Sequence, residues 1–135
     1  MKTNIFVNIS TKNLDRAKEF FIGLGFTINP QFTNQDAACV VISDNIFVMV
    51  LTENFFKRFT KKEIADAHKN TEAITSLSAE NKEKVDEFVT KALAMGATEN
   101  IVPEMQQNPI MYGRSINDLD GHIWEIFWMD PKAIK

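Results

Sequence analysis

Cysteine is almost missing from this chain of 135 residues: Cys39, in the apolar run AACVVI, is the only one. A disulfide framework within the chain is excluded, so the fold must rest on a buried core. Cys39 itself reads as a small buried hydrophobe, because no His or Lys stands near it to activate a thiolate. Histidine is nearly as scarce, with only His68 and His122, and a Ser-His-Asp arrangement cannot be built from them. Glycine is limited to five residues. Gly23 and Gly25 sit at a helix end rather than in a loop ahead of a helix, so no phosphate-cradling loop is present. Basic residues carry no excess: 15 Lys and Arg stand against 18 Asp and Glu, for a net charge of −3. A nucleic-acid partner is not expected. No apolar run reaches the length of a membrane span. MKTNIFVNIS lacks the apolar core of a signal peptide, and the cytoplasm is the expected location.

What is present is enough apolar material for a core, 44% of the residues, in a length that fits one domain. Asn4 to Ser10 alternates as a strand. Asn13 can cap a helix in which Leu14, Ala17, Phe21 and Leu24 fall at helical spacing, with Gly25 as its stop. Strand-like runs follow at Thr27 to Phe32, Ala37 to Ser43 and Ile46 to Thr52. Asp44-Asn45 is a tight turn between the last two. The pattern is β-α-β-β-β. Residues 54–70 read as a linker, helical from Lys61 to His68. Its Phe55, Phe56 and Phe59 anchor it on the core or serve as a lid or a dimer contact.

The pattern then restarts. Glu72 to Ser78 is a strand candidate. Lys82 to Met95 is a helix with Val85, Phe88, Ala92 and Met95 on one face and Gly96 as its stop. Strands are expected at Thr98 to Val102, Met111 to Asn117 and His122 to Met129, with Pro103 to Pro109 a polar loop. Setting Gly96 on Gly25 gives an internal repeat with an offset of 71 residues. The expected fold is α+β, with two βαβββ modules (approximately 1–53 and 71–130) forming a curled mixed sheet around a cleft, in a single domain over 1–135.

Two stretches resemble a known superfamily. NISTKNLDRAKEFFIGLGF looks like the opening of vicinal-oxygen-chelate proteins, the superfamily of glyoxalases, bleomycin-resistance proteins and extradiol dioxygenases. SINDLDGHIWEIFW looks like its closing D-x-D-G turn followed by a strand carrying Glu. The resemblance implies paired βαβββ modules, a central cavity and often a homodimer. In metal-dependent members it implies a divalent ion held by His, Gln or Glu from both modules, which polarises a substrate carbonyl.

Carried over one position at a time, the family's ligands fall at about Phe6, at about Val50, near Ile74 and at Glu125. Three of the four are apolar. A shift of two residues would offer Asn8, Thr52 and Glu72, which are poor transition-metal ligands. His122 lies three residues before Glu125, hence on the other face of a strand. A dioxygenase iron site would need both histidines beside a carboxylate and is not expected. The expected function is a glyoxalase/bleomycin-resistance-like protein that binds a small, partly apolar ligand in a cleft without the metal centre or any other cofactor. The alternative is a metal-dependent lyase or isomerase resembling lactoylglutathione lyase, with a divalent metal at Glu125 or with Glu125 as general base. Phe6, Asn8, Val50 and Phe127 are the expected ligand-binding walls. Tyr112 or Arg114 would fix a polar group, or Arg114 would pair with Glu125. The partners are the small-molecule ligand and a second copy of the chain.

Overall fold

The computed structural model describes residues 2–133, apart from the side chains of Gln106 and Gln107, and contains two compact units, Met1–Ala65 and Asp66–Lys135. Each carries one βαβββ module.

In the first unit the order is β1 (Ile5–Thr11), α1 (Leu14–Gly23), β2 (Thr27–Asn29), β3 (Ala37–Ser43) and β4 (Ile46–Thr52). The sheet order is β1-β4-β3-β2, with β1 parallel to β4 and the other pairs antiparallel. Asn13 caps α1 by accepting from the Arg16 amide at 3.1 Å. Gly25 ends it at φ +106°, a conformation that glycine adopts without a Cβ penalty. α1 lies against β3 and β4 and buries Leu14, Ala17, Phe20 and Phe21. Ala38, Val40, Val48 and Val50 alternate onto one sheet face and are 0–1% exposed. The opposite face carries Phe6, Asn8, Phe47 and Met49, which stay partly open.

In the second unit the order is β5 (Ile74–Ser78), α3 (Lys82–Ala94), β6 (Thr98–Asn100), α4 (Pro103–Gln107), β7 (Met111–Asn117) and β8 (Ile123–Met129). The sheet order β5-β8-β7-β6 repeats that of the first unit. Asn81 caps α3 as Asn13 caps α1, and Gly96 ends it at φ +104°. Val85, Val89 and Ala92 are its fully buried residues. The repeat offset of 71 therefore holds only at the terminal glycines and at β2 and β6, where Thr27 and Asn29 answer to Thr98 and Asn100. The caps Asn13 and Asn81, and the buried sets Ala17, Phe21, Leu24 and Val85, Val89, Ala92, match at an offset of 68. The three residues that make up the difference lie within α3, which has 13 residues against 10 in α1.

The strand expected at Thr27 to Phe32 ends at Asn29 and passes into a 3-10 turn over Pro30–Phe32. Two further expectations change. Residues 61–68 are not helical. The helical turns come earlier, at α2 (Glu53–Phe56) and a 3-10 turn over Lys57–Phe59, because Thr52 caps them by accepting from the Phe55 amide. Beyond, Thr60 accepts from the Lys62 amide and Asp66 from the His68 amide. Such local side-chain bonds compete with helix formation. The second change is α4, which stands where a polar loop was expected. Pro103 opens it and Met105 is 8% exposed.

Candidate functional site

Strand register decides which side chains can share a site. In the second unit β8 pairs with β5 and β7, placing Ser76, Glu125 and Ser115 side by side, and β6 adds Asn100 opposite Ser115. These four residues form one row across the whole sheet. Ser76 Oγ donates to Glu125 Oε1 at 2.8 Å, and Asn100 Nδ2 donates to Ser115 Oγ at 3.2 Å. Ser115 is 1% exposed, while Glu125 is half-buried. Ile123 and Phe127 flank Glu125 on the same face, two residues either way along the strand. Gly113 stands opposite Phe127. The result is a polar row between apolar neighbours, with one carboxylate at its centre. Among the described residues Glu125 makes no ion pair.

Tyr112 and Arg114 do not join it. They stand opposite Trp128 and Ile126, on the face that α3 covers. The Tyr112 hydroxyl donates to Asp86 Oδ1 at 2.6 Å. Arg114 makes a forked contact with Glu99 at 2.9 and 2.7 Å and reaches Asp86 at 3.1 Å. The expected pairing of Arg114 with Glu125 is thus replaced by pairs across the sheet from it. The physical reason is the period of two: with Ser115 opposite Glu125, residues 112 and 114 must point the other way. The fork holds the Glu99 carboxyl below its ordinary value and raises Arg114 further above its own. The bond to Asp86, with burial second, raises the Tyr112 hydroxyl.

In the first unit the row that corresponds to Ser76–Glu125–Ser115–Asn100 is Asn8–Met49–Cys39–Asn29. The counterpart of Glu125 is therefore Met49. Val50, expected to stand with Phe6 and Asn8, pairs with Ile9 instead. It lies on the opposite face and is 1% exposed. This is a one-residue register error, which turns a side chain through the sheet. Phe6 is 49% exposed and stacks on Phe47 with ring centroids 4.7 Å apart. Asn8 is exposed, with Nδ2 donating to the Phe6 carbonyl. Ile74, the counterpart of Phe6, is 52% exposed. The four family ligand positions, corrected for register, hold Phe, Met, Ile and Glu. No group of three or more His, Cys, Asp or Glu among the described residues is placed to hold a metal ion.

The D-x-D-G turn has a structural role. Asp118 is 7% exposed. Its Oδ1 accepts from the amides of Asp120 and His122, and its Oδ2 accepts from the Trp124 indole at 2.9 Å. Burial raises the Asp118 carboxyl, against the opposing pull of His122 and of these donors. Gly121 is required twice over. Its φ is +91°, and a Cβ there would lie 2.7 Å from the backbone of Ala67 and His68. The turn thus sets β8 in register and seats Trp124, which is 2% exposed. The sequence puts Ser115 on the β7 face opposite Tyr112 and Arg114 without fixing which face points inward, and it does not single out Ser76 or Asn100. Their signal is the polar position repeated on each strand of one module, visible only once the register is known.

Comparisons with known proteins agree with this architecture. Residues 3–43 match the family model described as bleomycin resistance protein-like N-terminal. A comparison with curated sequences returns no match. Among solved structures, a hypothetical protein from S. aureus is 24% identical with a TM-score of 0.79, covering 95% of this chain and 94% of that one. A glyoxalase/bleomycin resistance protein/dioxygenase family enzyme from Burkholderia phytofirmans is 17% identical with a TM-score of 0.77, covering 92% and 96%. The fosfomycin resistance protein FosX from Listeria monocytogenes is 14% identical with a TM-score of 0.67, covering 95% and 91%. The chain has the fold of the vicinal-oxygen-chelate superfamily, and its first module carries the sequence pattern of the bleomycin-resistance-like N-terminal segment.

Proposed function

We propose that this chain is a glyoxalase/bleomycin-resistance-like protein that binds a small, partly apolar ligand on the sheet face carrying Glu125, without the metal centre of the catalytic members. The observation that supports it is the row Ser76–Glu125–Ser115–Asn100 set between Ile123 and Phe127. Such a face offers hydrogen bonds to one part of a ligand and apolar contact to the rest. The donor chemistry argues against a resident transition metal. A thioether and two hydrocarbon side chains at the positions that answer to Phe6, Met49 and Ile74 leave one carboxylate, where three or four His, Cys or carboxylate ligands are the rule. Glu125 then serves as a hydrogen-bond acceptor for the ligand, with Ser76 fixing its carboxylate. A homodimer and a cytoplasmic setting belong to the same reading, as does the absence of a nucleic-acid partner. No helix of the described residues is long and apolar enough to cross a membrane.

Elemental analysis of the purified protein, followed by nickel and zinc titration, tests the metal-free reading. Substoichiometric metal and no saturable binding are expected. Stoichiometric binding that disappears in Glu125→Gln would restore the metal-dependent lyase or isomerase as the better description.

A further inference from the structure

Every second residue of a strand points to one face of its sheet, so the register charts the charge on that face. On the Glu125 side of the second sheet lie the Ser76–Glu125–Ser115–Asn100 row and the rows on either side of it. Glu125 is the one charged residue among these strand positions. Every other one is apolar, glycine, serine, threonine or asparagine. The corresponding face of the first sheet carries no charged strand residue, and Met49 stands where Glu125 does.

The cations of the second unit are placed elsewhere. Arg114 is paired with Glu99 and Asp86, and Lys82 lies over the Trp128 ring, both on the face that α3 covers. Lys84 and Lys91 pair with Glu87 along α3. His68, Lys69, His122 and Lys132 lie outside the strands.

Ser76 donates to Oε1 of Glu125 at 2.8 Å, and among the described residues Oε2 accepts no hydrogen bond. As an acceptor for Ser76 alone a glutamine would serve; the negative charge has no partner. Glu125 is nevertheless half-buried between Ile123 and Phe127. A carboxylate in such a place gives up hydration without a countercharge, and a cation brought to it is held more strongly than at a fully solvated carboxylate. The row is open on its β5 side. Ser115 is 1% exposed, and the terminal methyl of Met105 lies 2.5 Å from where a Cβ on Gly113 would stand. Ser76 is exposed, and Ile74 is 52% exposed.

We infer that the ligand of this face is a small organic cation, an ammonium on an apolar body, whose N–H groups donate to Oε2 of Glu125 while the body lies over Ile74 and Ile123. The inference rests on the reading of that face as the ligand face. It also sets selectivity: an anion meets the repulsion of Glu125 with no cation on the face to offset it.

Titration of the full chain at pH 7 with benzylamine, benzyl alcohol and benzoate tests it, read by the amide resonances of Ser76, Ser115 and Glu125. The three probes share one ring and differ in charge. Benzylamine should bind at least about tenfold more tightly than benzyl alcohol, the margin of a charge-assisted hydrogen bond, and benzoate should bind most weakly. Added salt should weaken benzylamine and leave the alcohol unmoved. Glu125→Gln should erase the preference for the amine over the alcohol. Equal affinity for amine and alcohol in the wild type, tighter binding of benzoate, or an amine preference that survives Glu125→Gln overturns the cation and leaves the ligand face standing. No shift of these resonances with any of the three removes the ligand face, and the cation with it.

Discussion

The hydroxyl of Ser76 donates to Oε1 of Glu125 at 2.8 Å, between parallel neighbours that are 49 residues apart in sequence. The bond fixes one carboxylate oxygen, and in the proposed function the other meets the ligand. Arg114, the nearest cation in the neighbouring strand, is committed to Glu99 and Asp86 on the other face. A fragment found to shift the amide resonances of Ser115 and Glu125 should bind more weakly in Glu125→Gln and Ser76→Ala. Losing a charged or charge-assisted hydrogen bond costs about 1.5–3 kcal/mol, so the dissociation constant should rise on the order of 10- to 100-fold for the glutamate variant. Arg114→Ala should lose stability and keep its affinity. Equal loss of affinity in Arg114→Ala would mean that the two faces have been exchanged.

Met49 and Val50 give an independent check of register in the first module. Val50 is 1% exposed on the face covered by α1, whereas Met49 stands in the open row beside Asn8. Val50→Ala should cost on the order of 2 kcal/mol, from two lost methyl groups and the cavity they leave. Met49→Ala should cost less despite its larger side chain. Urea unfolding of both variants measures this directly, and the reverse order would refute the assigned register.

The legibility of this chain in its sequence divides along the same lines. The helices α1 and α3 are readable from apolar spacing and terminal glycines, α1 also from its cap Asn13, and the two-module plan from their repetition; the cap Asn81 and the turn of the α3 face from Phe88 to Val89 come only with the structure. The hairpin at Asp44-Asn45 was equally plain. The partners of Arg114 and Tyr112 were not, because an alternating strand shows two faces without saying which one the helix takes. That choice is made by Asp86 and Glu99, on α3 and β6, and depends on tertiary contact. Val50 missed its place for a similar reason: a strand position is known from sequence to within a residue or two, and one residue reverses the face. α4 was hidden because five residues between prolines give too short a window for helical periodicity.

Asp118 gives the D-x-D-G half of the closing motif a structural role, distinct from the strand that carries Glu125. Its carboxylate takes two backbone amides and the Trp124 indole, and all of these donors lie within six residues of it. Asp118→Asn keeps the shape and turns one acceptor oxygen into a donor facing a donor. The loss should be about 1–3 kcal/mol, the range for leaving a buried polar group unsatisfied. Equilibrium unfolding followed by tryptophan fluorescence reads it, with a change in the native emission as Trp124 shifts. A variant of unchanged stability would show that the turn, rather than the carboxylate, seats the indole.

Glu99 should govern part of the acid limb of stability. Its bond to Arg114 holds the folded-state carboxyl below its ordinary value. A carboxylate lowered on folding stabilises the native state above its unfolded pKa, about 4.3 for glutamate, and that contribution is lost as pH falls through the folded value. Urea unfolding of the wild type and Glu99→Gln, repeated between pH 7 and pH 3, isolates the effect as a difference. The wild type should be the more stable at pH 7. The gap should stay constant down to about pH 5 and close below the ordinary glutamate range. Salt should narrow it only partly, because the side chains of Arg114 and Glu99 are 19% and 22% exposed and the pair is poorly screened. A gap that persists unchanged to pH 3 would mean that Glu99→Gln acts through packing and that the forked pair with Arg114 contributes no charge-dependent stability.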